Sequence, residues 1–146
     1  LTGHPKKLFG VFDAKTHDIE VDDNAAAVIV FDNGAFGTIQ TSVSLEPGYT
    51  GRVNIFGTKG GLSLVGNTLE HTKQDGTKDE MDFEKQVGST NDPKKFSMRA
   101  QIELIKDYVD AVKNDRPPKV SGEEGLRAIE IIRAIYESDG EKIVKF

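Results

Sequence analysis

The residues in this sequence whose types could do chemistry are three histidines, a glycine-rich pentapeptide, an acidic stretch and a glutamate pair. His4, His17 and His71 share no metal-ligand spacing and belong to no H-E-x-x-H pattern, so they read as ordinary surface histidines. Gly57-Thr58-Lys59-Gly60-Gly61 has the composition of a phosphate loop without the G-x-x-x-x-G-K-[ST] spacing. It opens into an extended run rather than a helix, and so reads as a hairpin turn. Asp18, Glu20, Asp22 and Asp23 crowd together, but the glycine and terminal glutamate of an EF-hand are missing, and a solvated loop is expected. Glu123 and Glu124 could be offered as an acid–base pair; their place at a predicted helix start explains them as capping and dipole partners. No nucleophile elbow is present, and no G-x-G-x-x-G precedes a helix. On residues alone the chain carries no catalytic, cofactor-binding or metal-binding residue.

The elements that would position any site are organised around Ala25–Leu64, AAAVIVFDNGAFGTIQTSVSLEPGYTGRVNIFGTKGGLSL. Ala25–Phe31 reads as a buried strand, and Asp32-Asn33-Gly34 as a type I′ turn with two positive-φ positions. Ala35–Leu45 alternates, with Phe36, Thr38, Gln40, Ser42 and Ser44 on one face and Ile39, Thr41 and Val43 on the other. Glu46-Pro47-Gly48 breaks that strand, and Arg52–Thr58 completes a three-strand meander, with Val53 and Ile55 opposed to Asn54 and Phe56. Shorter strands are expected at Lys7–Asp13, where Gly10 is a weak point, and at Gly61–Val65, Asn67–Lys73, Glu80–Phe83 and Lys142–Phe146. Gly88–Lys95 reads as a surface loop, and Leu1-Thr2-Gly3 as the end of a helix.

Two amphipathic helices follow. Phe96–Asn114 places Met98, Ile102, Ile105, Val109 and Val112 on one stripe; Gly122–Ser138, opened by a Ser121–Glu124 capping box, is expected to bury Leu126, Ile129, Ile132, Ile135 and Tyr136. Strands first and helices after them predict an α+β domain: an open, predominantly antiparallel sheet with the two main helices packed on one face. The other face, mildly polar, is available to a second chain.

With 146 residues the chain is long enough for one domain with a substantial core. A net charge of −5 and the isolation of the pairs Lys6-Lys7 and Lys94-Lys95 argue against a nucleic-acid surface. No apolar run is long enough to span a bilayer. The absence of cysteine excludes disulfides and suits a cytoplasmic protein.

The succession VDDNAAAVIVFDNGAFGTIQTSVS, GYTGRVNIFGTKGGLSL and QIELIKDYVDAVKNDRPPKVSGEEGLRAIEIIRAIYES closely resembles the C-terminal domain of the Gfo/Idh/MocA oxidoreductases, from about Leu1 to Phe146. The resemblance implies a two-domain, NAD(P)-dependent dehydrogenase or reductase acting on sugars, polyols or related compounds. Residues 1–146 would be its substrate-binding and oligomerisation domain, a fragment of a longer protein. NAD or NADP would be held by an N-terminal Rossmann domain absent from this chain, and the family's Asp-x-Gly-x-His motif would lie upstream of Leu1. His4 follows that motif's place and does not correspond to its histidine. The chain by itself would be inactive.

The inositol-dehydrogenase branch of the family has a tyrosine-bearing loop where this chain has Glu46-Pro47-Gly48-Tyr49. The resemblance therefore makes Tyr49 the first candidate for a polyol contact and Arg52 the second. Packing of Tyr49 at a subunit interface is the alternative. The open sheet face carrying Thr38, Gln40, Ser42 and Ser44 would build a homodimer or homotetramer. A non-catalytic carbohydrate-binding or dimerisation module of the same fold is the rival reading.

Overall fold

A computed structural model of the chain describes residues 3–45, 47–83 and 98–146. The strand pattern of the sequence is realised as two separate four-stranded antiparallel sheets, and the chain divides into two compact units, 1–47 with 117–146 and 48–116. The fold class is α+β as expected. The three-strand meander is divided after its second strand: the third strand opens the second sheet instead of completing the first.

In the first unit β1 (Pro5–Asp13), β2 (Asn24–Phe31), β3 (Phe36–Ser42) and the two-residue β8 (Val144–Lys145) lie in the order β3-β2-β1-β8. Residues opposed across an antiparallel ladder share a face. The register Leu8↔Ile29, Gly10↔Ala27 and Ala27↔Ile39 therefore defines the inner face, and Phe9↔Val28, Val11↔Ala26 and Val28↔Thr38 the outer one. Leu8, Ala27 and Ile29 form the core with Val144 and with Ala134 and Ile135 of α2 (Gly122–Ser138). Gly10, a weak point by strand propensity, is a point of close approach. A Cβ there would stand 3.2 Å from the Ile135 backbone, so the missing side chain lets the helix lie directly on β1.

The turn between β2 and β3 differs from the expected type I′. Gly34 has φ +86° but Asn33 does not enter the left-handed region. Gly34 N–H donates to the Phe31 carbonyl at 3.1 Å, and Phe31 N–H to the Ala35 carbonyl at 2.8 Å. A type I turn closed by a left-handed glycine needs one positive φ rather than two, and the Asn33 side chain steadies it by accepting from Ala35 N–H.

Among the described residues, burial on α2 is confined to its C-terminal half. Ala134, Ile135 and Ser138 are buried, whereas Leu126, Ile129 and Ile132, expected inside, are exposed along with Tyr136. The reason is geometric: α2 reaches β1 and β8 through its last two turns, and its apolar stripe continues beyond them. Tyr136 still has partners, edge-on to Phe12 with centroids 4.7 Å apart and donating its hydroxyl to Asp22 at 2.5 Å. That carboxylate raises the phenol above its ordinary range. At the start of α2 the Ser121 hydroxyl accepts from Glu124 N–H as predicted. The glutamates serve other partners than the reciprocal half of the box: Glu124 pairs with Arg127, and Glu123 bonds the Ser121 hydroxyl, which lowers its carboxyl below the usual range.

The second unit contains β4 (Arg52–Gly57), β5 (Gly60–Val65), β6 (Thr68–Lys73) and β7 (Lys78–Asp82) as a simple up-and-down sheet, and α1 (Arg99–Lys113). Of the stripe expected to be buried on α1, Met98, Ile102, Ile105, Val109 and Val112 are all exposed; Ala111 is buried. The helix is closed by Arg116, which bonds Asp107 at 2.8 Å and Asp110 at 2.6 Å. The readings of Leu1-Thr2 and Gly88–Lys95 fall outside the described residues. Among the described residues no helix is long and apolar enough to cross a membrane.

Candidate functional site

Tyr49 and Arg52 stand at the entrance to β4. Pro47 and the left-handed Gly48 (φ +78°) lead the chain in, and Tyr49 is 87% exposed, with ring and hydroxyl open to solvent. Arg52, also exposed, is the first ladder residue and lies opposite Val65. Two residues, Thr50 and Gly51, separate the candidates along the chain. The segment between them is tied at Gly51, whose carbonyl accepts from Gly66 N–H at 3.0 Å in the β5–β6 turn.

The register of the sheet places Arg52 at the head of a row that the sequence reading missed. Arg52, Val65, Thr68 and Asp82 are successive cross-strand neighbours, followed by the rows Asn54–Ser63–Glu70–Glu80 and Phe56–Gly61–Thr72–Lys78. This face is dense in hydroxyls, carboxylates and cations. Thr68 donates to Asp82 at 2.7 Å, and Lys78 reaches both Glu70 oxygens at 3.0 Å. Side chains that both donate and accept, spaced at about 5 Å across strands, suit a ligand with several hydroxyls. The alternation Thr68-Glu70-Thr72 and Lys78-Glu80-Asp82 signalled the polar face. Its alignment with Arg52 depended on register, which the sequence does not state.

The opposite face of the same sheet is apolar, with Val53, Ile55, Leu62, Leu64, Leu69 and Met81 in register. A cavity of about 760 Å³ opens over Ile55, Leu62, Leu69 and Met81 towards the β4–β5 turn. At its rim Asp79 bonds Lys73 at 2.8 Å, with His71 at 3.8 Å. The Lys73 ammonium, and to a lesser extent His71, hold the Asp79 carboxyl below the ordinary range.

The acidic stretch of the first unit is a different structure from the solvated loop expected. Asp23 is 3% exposed, and its carboxylate accepts from the backbone N–H groups of Lys15 (2.8 Å), Thr16 (2.8 Å) and His17 (3.0 Å). His17 Nδ1 lies at 3.1 Å, and Asn24 Nδ2 donates at 2.7 Å. The amides, led by Lys15 N–H, push this carboxyl far below its usual range despite burial. Asp23 thereby folds the β1–β2 connection around itself, and both of its oxygens are engaged by its own chain. His17 is part of that cage, while His4 joins the β2–β3 turn through its backbone, donating N–H to Asp32 at 3.1 Å. No group of metal-ligating side chains forms among the described residues.

Neither the Gly57–Gly61 turn nor the start of α2 fits a dinucleotide phosphate. Gly57–Gly61 joins β4 to β5, strand to strand, so no helix N-terminus stands behind it. The amide end of α2 already carries Ser121, Glu123 and Glu124, and the two carboxylates oppose a pyrophosphate.

Residues 4–145 match the family model of the oxidoreductase family, C-terminal alpha/beta domain, of the Gfo/Idh/MocA type. A myo-inositol 2-dehydrogenase of Thermotoga maritima is 29% identical over 123 residues, which are 82% of this chain and 35% of that protein. The fold is similar to that of an oxidoreductase from Agrobacterium radiobacter in complex with NAD+, L-tartaric acid and magnesium (TM-score 0.79, 20% identity, 99% of this chain and 44% of that one). It is also similar to an aldose-aldose oxidoreductase from Caulobacter crescentus complexed with glycerol (TM-score 0.72, 21% identity, 99% and 42%). The chain thus spans about a third of the length of its curated relative and less than half of these structures. It belongs to the Gfo/Idh/MocA oxidoreductase family.

Proposed function

We propose that residues 1–146 are the substrate-binding and subunit-joining domain of a two-domain, NAD(P)-dependent oxidoreductase acting on a sugar, polyol or related compound in the cytoplasm. In this reading the dinucleotide and the proton-transfer groups belong to the other domain, and hydride passes between a carbinol or carbonyl carbon of the substrate and the nicotinamide. This chain's own part is to hold and orient the substrate. Family membership and the activity named for the Thermotoga relative support the reaction class.

The observation that carries the substrate role is the alignment of Arg52, three positions after the exposed Tyr49, with the row Val65–Thr68–Asp82. Tyr49 offers a ring face and a hydroxyl, Arg52 a fork of donors, and the Thr68–Asp82 pair a hydroxyl and a carboxylate. Steady-state kinetics of the full-length protein with myo-inositol and a panel of aldoses test it. Tyr49→Phe and Arg52→Ala are expected to raise KM for the accepted substrate while leaving the affinity for the dinucleotide unchanged. Unaltered KM in both variants overturns the assignment of these two residues.

The outer face of the first sheet supports the subunit-joining role. Phe9, Val11, Val28 and Phe36 are all exposed there beside Thr38 and Gln40, an apolar centre in a polar setting. A homodimer or homotetramer built on this face would cover them.

A further inference from the structure

Tyr49 is approached from both sides by glycine, at positions 48 and 51, so its own segment does little to fix it. What holds the backbone of that segment comes from the β5–β6 turn. Gly66 sits at φ +58° with its N–H on the Gly51 carbonyl, and a Cβ built on Gly66 would stand 2.9 Å from the Thr50 side-chain methyl. The turn is itself anchored: Val65 pairs with Thr68, and the Asn67 carbonyl accepts from Phe83 N–H at 2.8 Å. A displacement at Gly66 is therefore passed to Thr50 more readily than into the sheet. Any side chain at 66 must turn or displace the side chain of Thr50, the residue next to Tyr49.

From this contact we infer that Gly66 is a positioning residue for Tyr49: its lack of a side chain lets Thr50 close on the β5–β6 turn and sets the path of the backbone from which Tyr49 projects. The inference rests on the reading of Tyr49 as a substrate contact only for its functional consequence; the coupling of Gly66 to the Thr50–Gly51 segment beside Tyr49 stands on geometry.

The test separates the two. The chain has three tyrosines, so ring-13C-tyrosine labelling gives a spectrum in which Tyr49→Phe assigns the Tyr49 resonance. Gly66→Ala is expected to move that resonance while leaving those of Tyr108 and Tyr136 in place. Adding Thr50→Ser, which removes the methyl that the new Cβ meets, is expected to return it. Gly66→Asn carries the same Cβ with a side chain that tolerates the left-handed conformation, and serves if the alanine variant does not fold. In the full-length enzyme Gly66→Ala is expected to raise KM about three- to tenfold with kcat nearly unchanged, and the double variant to recover most of that loss. A Tyr49 resonance that stays in place in both Gly66 variants, or a shift that Thr50→Ser does not reverse, overturns the inference. A shift that is reversed, with KM unmoved in Gly66→Ala and in Tyr49→Phe alike, keeps the coupling and removes Tyr49 from the substrate site.

Discussion

The Ser138 hydroxyl accepts from Gly10 N–H at 2.9 Å and donates to the Lys142 carbonyl at 2.6 Å, and Ser138 is fully buried. Together with Gly140 N–H, which donates to the Gly10 carbonyl at 2.8 Å, it supplies β1 with the partners that a neighbouring strand would give. β8 pairs with β1 only at Lys7 and Leu8, so beyond that point the end of α2 stands in for a strand. One side chain thus links helix, sheet edge and the reversal into β8.

Ser138→Ala should remove both bonds at once, leaving the buried Gly10 N–H without this partner and freeing the Lys142 carbonyl of its own. The expected loss is about 1–3 kcal/mol, because an unsatisfied buried group costs its desolvation in full. Urea unfolding followed by circular dichroism should show a lower midpoint with an unchanged slope. A midpoint equal to wild type would mean that water replaces the hydroxyl.

Gly10→Ala addresses the same junction from the other side. The added Cβ meets Ile135 at 3.0 Å on its side chain and 3.2 Å on its backbone, so the helix itself must move. Overpacking of this kind costs about 1–3 kcal/mol, enough to outweigh the gain in strand propensity that alanine brings. A stabilised Gly10→Ala protein would show that α2 is not held against β1 in solution.

Asp23 makes a prediction about pH. Its carboxyl is shifted below the ordinary carboxylate value of 3.8 by the amides it accepts from. A group whose folded pKa is depressed contributes stability that is complete above the unfolded value and is lost as the pH falls towards the folded one. Thermal midpoints of the wild type should therefore be level from neutrality to about pH 5 and fall steadily below about pH 4. Asp23→Asn turns an amide NH2 or a single carbonyl towards the three backbone donors. Its midpoint should lie well below wild type at neutral pH, and the difference should shrink as the solution is acidified through the ordinary carboxylate range. A constant difference between the two proteins across that range would show that the charge of Asp23 is not what holds the connection.

The same residue shows where sequence was legible and where it was not. Element positions followed from alternation, from turn residues and from the 3.6-residue stripes, because these signals are local. Asp18 and Glu20 are exposed, and nothing local separates Asp23 from them; its burial depends on Lys15–His17 curling back, which is a tertiary event. The division into two sheets was hidden for a related reason. A strand such as Arg52–Gly57 carries the same alternation whichever strand it pairs with, and here β5 rather than β3 is its neighbour. Leu126, Ile129 and Ile132 read as buried because periodicity reports an apolar face without saying how much of it the chain covers. Tyr49 and Arg52 came from resemblance alone, and the alignment of Arg52 with Thr68 and Asp82 needed the register.

The outer face of the first sheet gives the last prediction. Phe36 is 80% exposed at the start of β3, in the same row as Val30 and on the same face as the following row, Thr38–Val28–Phe9. An exposed phenylalanine among valines has no role in this fold's own core, which lies on the other face. If two copies meet here, each Phe36 is covered by the partner, and a carboxylate in its place would be buried without a counter-charge. Phe36→Glu should weaken self-association at least about tenfold, equivalent to about 1.4 kcal/mol. Because the residue is on the surface of the single chain, the thermal midpoint of the dissociated protein should not change. Sedimentation velocity over a dilution series, on wild type and variant, measures this directly. An oligomer that persists unchanged in Phe36→Glu would place the subunit contact elsewhere, and a wild type that is monomeric at every concentration would remove the subunit-joining role from this face.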